Sequence, residues 1–185
     1  MRGGEVGNDV YTDYFSKVTI NGGVIEDDAI ANEGVSVVVN QARVGDDVEA
    51  YDFSDISIYR GEFGEDVEVF DFATVSIFGG EFTGLPGDFD TGFGAFGPGA
   101  SLWLSGTEFT IDGVPVPHQP HVPFELMGAG DLEGVLLDGS AFSVPFETGF
   151  DGAIYLVVPE PSMAYLQLGG LLAVACVWRR RRVRA

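Results

Sequence analysis

Two adjacent stretches decide how this chain is read: "GDDVEAYDFSDISIYRGEF" (45–63) and "GEDVEVFDFATVSIFGGEF" (64–82). Laid one on the other at a shift of 19 residues, they agree at 11 of 19 positions, with the shared skeleton G-x-D-V-E-x-x-D-F-x-x-x-S-I-x-x-G-E-F. Looser copies precede them, "VTINGGVIEDDAIA" from Val18 and "VSVVVNQARVGDDVEA" from Val35, so Val18, Val35, Ile56 and Val75 serve as anchors spaced by 17, 21 and 19. A period near 20 points to stacked supersecondary units rather than to a single closed motif. Within each unit apolar and polar residues alternate. Ile56 and Ile58 flank Ser57, Val75 and Ile77 flank Ser76, and Val67 and Val69 flank Glu68. This is strand periodicity, which puts one face inward and the other outward. Gly61 and the pair Gly79-Gly80 mark corners. The asparagine and leucine ladder of a leucine-rich repeat is missing, and helical repeats need longer units with another apolar spacing. The expected fold is all-β: a short parallel β-solenoid whose coils cannot bury their apolar faces singly and must stack.

Downstream of Phe82 the repeat decays. "GLPGDFDTGFGAFGPGA" (84–100) holds six glycines in 17 residues and reads as a long loop. Alternation resumes at Leu102, and "PVPHQPHVP" (115–123) cannot hold a central strand because proline lacks the ladder donor. Residues 131–158 offer three short strands separated by Asp-Gly turns, read as a closing segment over the last coil. The domain layout is a lead-in at 1–17, a β-solenoid-like region at 18–158 and a tail at 159–185.

Charge separates that tail from the rest. The chain of 185 residues carries a net charge of −20. Residues 1–158 contain four basic residues against 28 acidic ones, a net −24, whereas Arg179, Arg180, Arg181, Arg182 and Arg184 crowd the last seven positions. A domain this acidic offers no basic surface to a nucleic-acid backbone. A single cysteine, Cys176, excludes a disulfide framework and a cysteine zinc site. Between Pro159-Glu160-Pro161-Ser162 and the arginines lie sixteen uncharged residues, 163–178. As a helix they would span about 24 Å, enough to cross a bilayer when flanking arginines and Trp178 reach the interface. By the positive-inside rule the arginines stay cytoplasmic and the acidic domain lies outside.

Val158-Pro-Glu-Pro-Ser, a short apolar helix and an arginine cluster, in that order over residues 158–185, resemble the PEP-CTERM sorting signal of bacterial exported proteins. The resemblance implies a membrane-anchored precursor that meets an exosortase, a membrane-embedded processing enzyme acting near Pro159, Glu160, Pro161 and Ser162. It further implies a mature form at the cell surface or in the extracellular matrix, often alongside exopolysaccharide. "GDLEGVLLDGSAFSVPFETG" (130–149) also looks like the segment that precedes this signal in repeat-bearing members. Residues 1–15 contain no apolar stretch to act as a signal peptide, so the start of the chain is expected to be incomplete.

Candidate sites are few. His118 and His121 sit among prolines with no carboxylate pattern and read as a polar loop, and the glycines of 92–99 lack the following helix a phosphate site needs. Asp46-Asp47 and Glu65-Asp66 are equivalent in the repeat, as are Asp52 and Asp71, and Asp27-Asp28 lies one coil earlier. Stacked about 4.8 Å apart, Asp46, Asp47, Glu65 and Asp66 either form a solvated acidic face or hold calcium, the cation that hard carboxylate ligands suit. The function expected is structural or adhesive, without catalysis and without a cofactor. The alternatives are a polysaccharide-active β-helix enzyme, for which only Arg43 and Arg60 supply basic groups in the coils, and an ice-binding solenoid, which would need more than Thr19 and Thr74.

Overall fold

The computed structural model describes residues 3–83, 92–117, 119 and 122–159. The protein is all-β, with no helix among the described residues, and its 18 strands join into one system that nearly closes on itself like a barrel. The organising feature is a parallel register that repeats residue for residue. Glu5–Val6 pairs with 24–25, which pairs with 43–44, then with Glu62–Phe63 and Glu81–Phe82, always 19 residues on. Val10–Thr12, Ala29–Ala31, Val48–Ala50 and residues 67–69 stack with the same offset. So do residues 17–20, 36–39, Asp55–Ile58 and Thr74–Ile77.

Uniform offset corrects one anchor of the sequence reading. Val37, not Val35, stands between Val18 and Ile56, so spacings of 17 and 21 become 19 and 19. Val35 is buried at the preceding corner instead, where its carbonyl accepts the Asp55 amide at 2.8 Å. The boundary at residue 18 also moves, because residues 5–12 already belong to the stack as strands one coil earlier.

One corner of every coil is a two-residue left-handed turn. Tyr14-Phe15, Glu33-Gly34, Asp52-Phe53 and Asp71-Phe72 all have positive φ and recur 19 apart. In three of them the flanking residues close an i→i+3 bond: Val35 to Asn32, Ser54 to Tyr51 and Ala73 to Phe70. Two consecutive positive φ values with this bond mark the I′ family of turns. A phenylalanine in that conformation costs on the order of 1 kcal/mol. Stacking of Phe53 on Phe72, ring centroids 5.0 Å apart and 6° from parallel, offsets part of it.

Inside, apolar columns run along the stack. Ile58 lies directly over Ile77, which lies over Leu104 and then Leu156, all essentially solvent-free. Phe63 stacks on Phe82 (5.0 Å), and Phe93 meets Phe82 edge-on.

Beyond Phe82 the offset lengthens. Residues 101–104 pair with Thr74–Ile77 after 27 residues, and 153–156 pair with 101–104 after 52. The segment read as a loop at 84–100 therefore holds a strand, Phe93–Phe96, parallel to Val67–Phe70. Phe93 and Ala95 point inward and are buried, an alternation that the abundance of glycine obscured. The expected closing segment is present as a hairpin, Ala129–Leu136 against Ala141–Gly149, and a last strand, Ala153–Val157. Its turn latches onto the coils: the Gly80 amide donates to Asp138 Oδ2 (3.1 Å) and to Ser140 Oγ (3.2 Å). Among its described residues, the proline-rich stretch contributes the end of the two-residue strand Val114–Pro115 and an isolated bridge between Gln119 and Val122. His118, His121 and the expected membrane helix at 163–178 lie outside the described residues, and no helix among those described is long and apolar enough to cross a membrane.

Two substitutions on one strand test the inward–outward assignment. Ile77→Asp places an unpaired carboxylate in the column and should unfold the protein, a loss of roughly 4 kcal/mol or more. Ser76→Asp, facing outward beside it, should cost less than about 1 kcal/mol. Equal melting shifts by circular dichroism would contradict the assignment. Ser54, 2% exposed, carries the one buried side-chain polar atom without a hydrogen-bond partner among the described residues. It stacks in register between Val35 and Ala73, so Ser54→Ala should leave stability unchanged or raise it by about 1 kcal/mol.

Candidate functional site

The 19-residue register lines up carboxylates as strictly as it lines up the core. Asp9, Asp28, Asp47 and Asp66 each precede the strand that begins at Val10, Ala29, Val48 or Val67, and so form one column. The column has a bonding role. The Asp47 amide donates to Asp28 Oδ1 (3.1 Å), and the Asp66 amide donates to Asp47 Oδ1 (2.9 Å). Asp28 and Asp47 thereby each cap the backbone of the next coil.

Of the calcium candidates, Asp46 and Asp47 converge with Asp28, each offering an oxygen within 4.8 Å of the others. Glu65 and Asp66 are not in this group. Glu65 shares a hydrogen bond with Asp46, which holds its carboxyl up at about 7, with burial and the neighbouring Asp46, Asp47 and Asp66 charges adding to the shift. Asp28 replaces them in the convergent set, and the uniform offset of 19 was the signal that identified it.

A cleft of about 480 Å³ opens where the acidic column meets the closing hairpin. Register builds it. Glu68 pairs with Gly94 and Gly94 with Glu147, so two glutamates stand on one face across a glycine, about 10 Å apart along the backbone at two strand spacings. Position 94 is glycine because a side chain there would collide with the ring of Phe96, which packs over it. Asp66, Asp112 and Asp131 complete the rim, and the ring of Phe96 lies over Gly94 on the floor. The Asp131 amide donates to Asp112 Oδ1 (2.9 Å), fixing that side of the rim. Among the described residues, no basic residue lines this cleft. Burial raises the Glu68 carboxyl to about 7, assisted by the charges of Asp66, Asp47 and Glu49. Glu49 and Asp47 are raised as well, burial being the main cause in each, while the Tyr51 hydroxyl, donating to Glu49 Oε1 (3.1 Å), pulls Glu49 back. The glutamate of the repeat was visible in sequence as a patterned acid. Asp112, Asp131 and Glu147 were not, because they come from outside the repeat.

A second groove, of about 510 Å³, gathers Arg43 and Arg60 with Glu62, Glu81 and Asp138 over Gly61 and Gly80. The two coil arginines considered for an enzyme are thus neighbours of one groove. Of the sorting residues, Pro159 directly follows buried Val158, while Glu160, Pro161, Ser162, Arg179, Arg180, Arg181, Arg182 and Arg184 lie outside the described residues. No protein-family model, curated protein or solved structure matches the chain.

The raised carboxyls give stability a definite pH dependence. A group whose pKa is higher folded than unfolded binds its proton more tightly in the native state. For Glu68 the stabilisation is fully present below the unfolded value of 4.5 and is lost as pH rises through about 7. The protein should therefore melt at higher temperature near pH 5 than near pH 8, with a Glu68 share on the order of 1 kcal/mol after solvent screening. Thermal melts across this range are the check, and Glu68→Gln should flatten the slope.

Proposed function

We propose that this chain is an exported bacterial protein, sorted by an exosortase-type enzyme, whose mature form is a structural or adhesive component of the cell surface or extracellular matrix. Its body is a short parallel β-solenoid, non-catalytic, and its precursor is held in the membrane by residues 163–178 with the arginines on the cytoplasmic side. The observation that carries this reading is the order of segments at the chain end. Strand Ala153–Val157 and buried Val158 close the core, and Pro159-Glu160-Pro161-Ser162, the apolar run and the arginines follow at once. Cleavage at that point would remove the membrane-inserting segment and leave the described core, which runs to Val158, intact. Proline at 159 and 161 disfavours both helix and strand, keeping the junction extended for a processing enzyme. A strongly acidic body suits a hydrated, soluble surface position.

A polysaccharide-active enzyme is the second reading, favoured by the groove that places Arg43 and Arg60 beside Glu62, Glu81 and Asp138. Cleavage of acidic polysaccharide by the purified protein, lost in Arg60→Ala, would support it over the structural role.

The sorting step has a direct test. Expressed behind an export signal in a host with an exosortase, the mature protein should lack the apolar run and the arginines and should leave the inner membrane. Replacing Pro159-Glu160-Pro161 with alanines should yield a full-length, membrane-retained form. Intact-mass measurement of the surface fraction decides: wild-type protein still ending in Arg184-Ala185 would mean a permanent anchor.

A further inference from the structure

The cleft between the coils and the closing hairpin has a chemistry that the sorting reading leaves unused. We propose that it binds a linear aliphatic polyamine, with ammonium groups seated between Glu68 and Glu147 and a methylene stem lying on Phe96.

Four observations point to that class of ligand. The cleft, at about 480 Å³, has the size of a small organic molecule rather than of a bare ion. Its carboxylates are spread around an apolar floor, whereas the one convergent group among the described residues, Asp28 with Asp46 and Asp47, lies outside it. A dispersed ring of charge suits an extended ligand with several cationic centres. Every ionisable side chain on the rim is a carboxylate, an acceptor when ionised. The floor strand Phe93–Phe96 has its backbone paired on both sides, to Val67–Phe70 and to residues 146–149, so it offers little to a ligand that needs both donors and acceptors. A peptide carbonyl or a sugar hydroxyl would leave its own acceptors unmet there. An ammonium only donates. Aromatic faces add an attraction for a cation and cover for an alkyl stem.

The charges facing Glu68 come from every side and have one sign. Glu49 stands on the neighbouring coil, Asp47 and Asp66 at the preceding turns, Glu147 across Gly94, and Asp112 and Asp131 on the far rim. Among the described residues of the cleft lining, no cation relieves them. A bound ammonium would favour the ionised form of Glu68, and charge-assisted hydrogen bonds are the stronger kind. Binding therefore releases a proton near neutral pH, and affinity rises between pH 6 and 8, where a polyamine keeps its charge.

The test is titration calorimetry of the purified full-length chain, in a non-ionic detergent, with spermine at constant ionic strength. One saturable site per chain is expected, with proton release seen as a difference between buffers of unlike ionisation enthalpy. Glu147→Gln and Asp131→Asn, both at exposed positions, should each weaken binding about tenfold, the scale of one charge-assisted hydrogen bond. Glu81→Gln, outside the cleft, should change it less than about twofold. Glu68→Gln should abolish the rise in affinity with pH. Circular dichroism confirms that each variant is folded. Weak binding at many sites, or equal effects of Glu147→Gln and Glu81→Gln, would overturn the proposal in favour of diffuse attraction to an acidic surface. Calcium displacing spermine at equal concentration would overturn it in favour of a metal site.

Discussion

Everything in this molecule depends on residue i lying over residue i+19. A parallel ladder held in one register fixes more than backbone hydrogen bonds. It puts like on like: Ile58 on Ile77, Phe63 on Phe82, Phe53 on Phe72, Asp28 on Asp47. For apolar and aromatic side chains this superposition is favourable, since identical shapes nest and each covers the next. For carboxylates it is not. Adjacent like charges about 4.8 Å apart repel by roughly 1 kcal/mol per pair even in water.

The structure meets that repulsion in two ways. Asp28 and Asp47 spend an oxygen on the amide of the coil above, so the charge gains a hydrogen bond where it loses to its neighbour. Glu65 and Asp46 share a hydrogen bond instead, and Glu65 holds its proton close to neutral pH. Both devices work only because strand spacing is constant, and both make the acidic face responsive to protons. The cleft extends the same logic past the repeat, where Glu147 of the closing hairpin takes the place in the row that a further coil would have supplied.

Much of this was legible in the sequence, for a physical reason. Stacked coils repeat their environment, and so they repeat their residues. The alternation around Ser57 and Ser76 and the paired acids at 46–47 and 65–66 could be read without coordinates. What escaped had no repeated environment to announce it. Val35 was mistaken for a strand anchor because Val37 carries the same side chain two positions later. The strand Phe93–Phe96 hid among glycines that are there to let Phe96 and its neighbours approach closely. The cleft joins Glu68 to residues that arrive only with the closing hairpin, and contact between a repeat and a non-repeat leaves no periodic trace. The left-handed corners were half visible: Asp52-Phe53 and Asp71-Phe72 recur in sequence, but aspartate followed by phenylalanine carries no turn signature of its own.

The constant register also sets an arithmetic for change. An inserted or duplicated segment of 19 residues would find on either side a template already shaped to receive it, and would lengthen the body by one strand spacing, about 4.8 Å, without altering its cross-section. A segment of any other length would displace every column at once, turning core positions outward along a whole coil. Before Phe82 the paired strands show a local slip at Asn21, which pairs with Gln41; past Phe82 the offsets grow to 27 and 52, and there part of the added length forms a hairpin. A gene for such a protein can grow in whole coils at the front and vary freely behind them, so reach and surface chemistry can be altered independently.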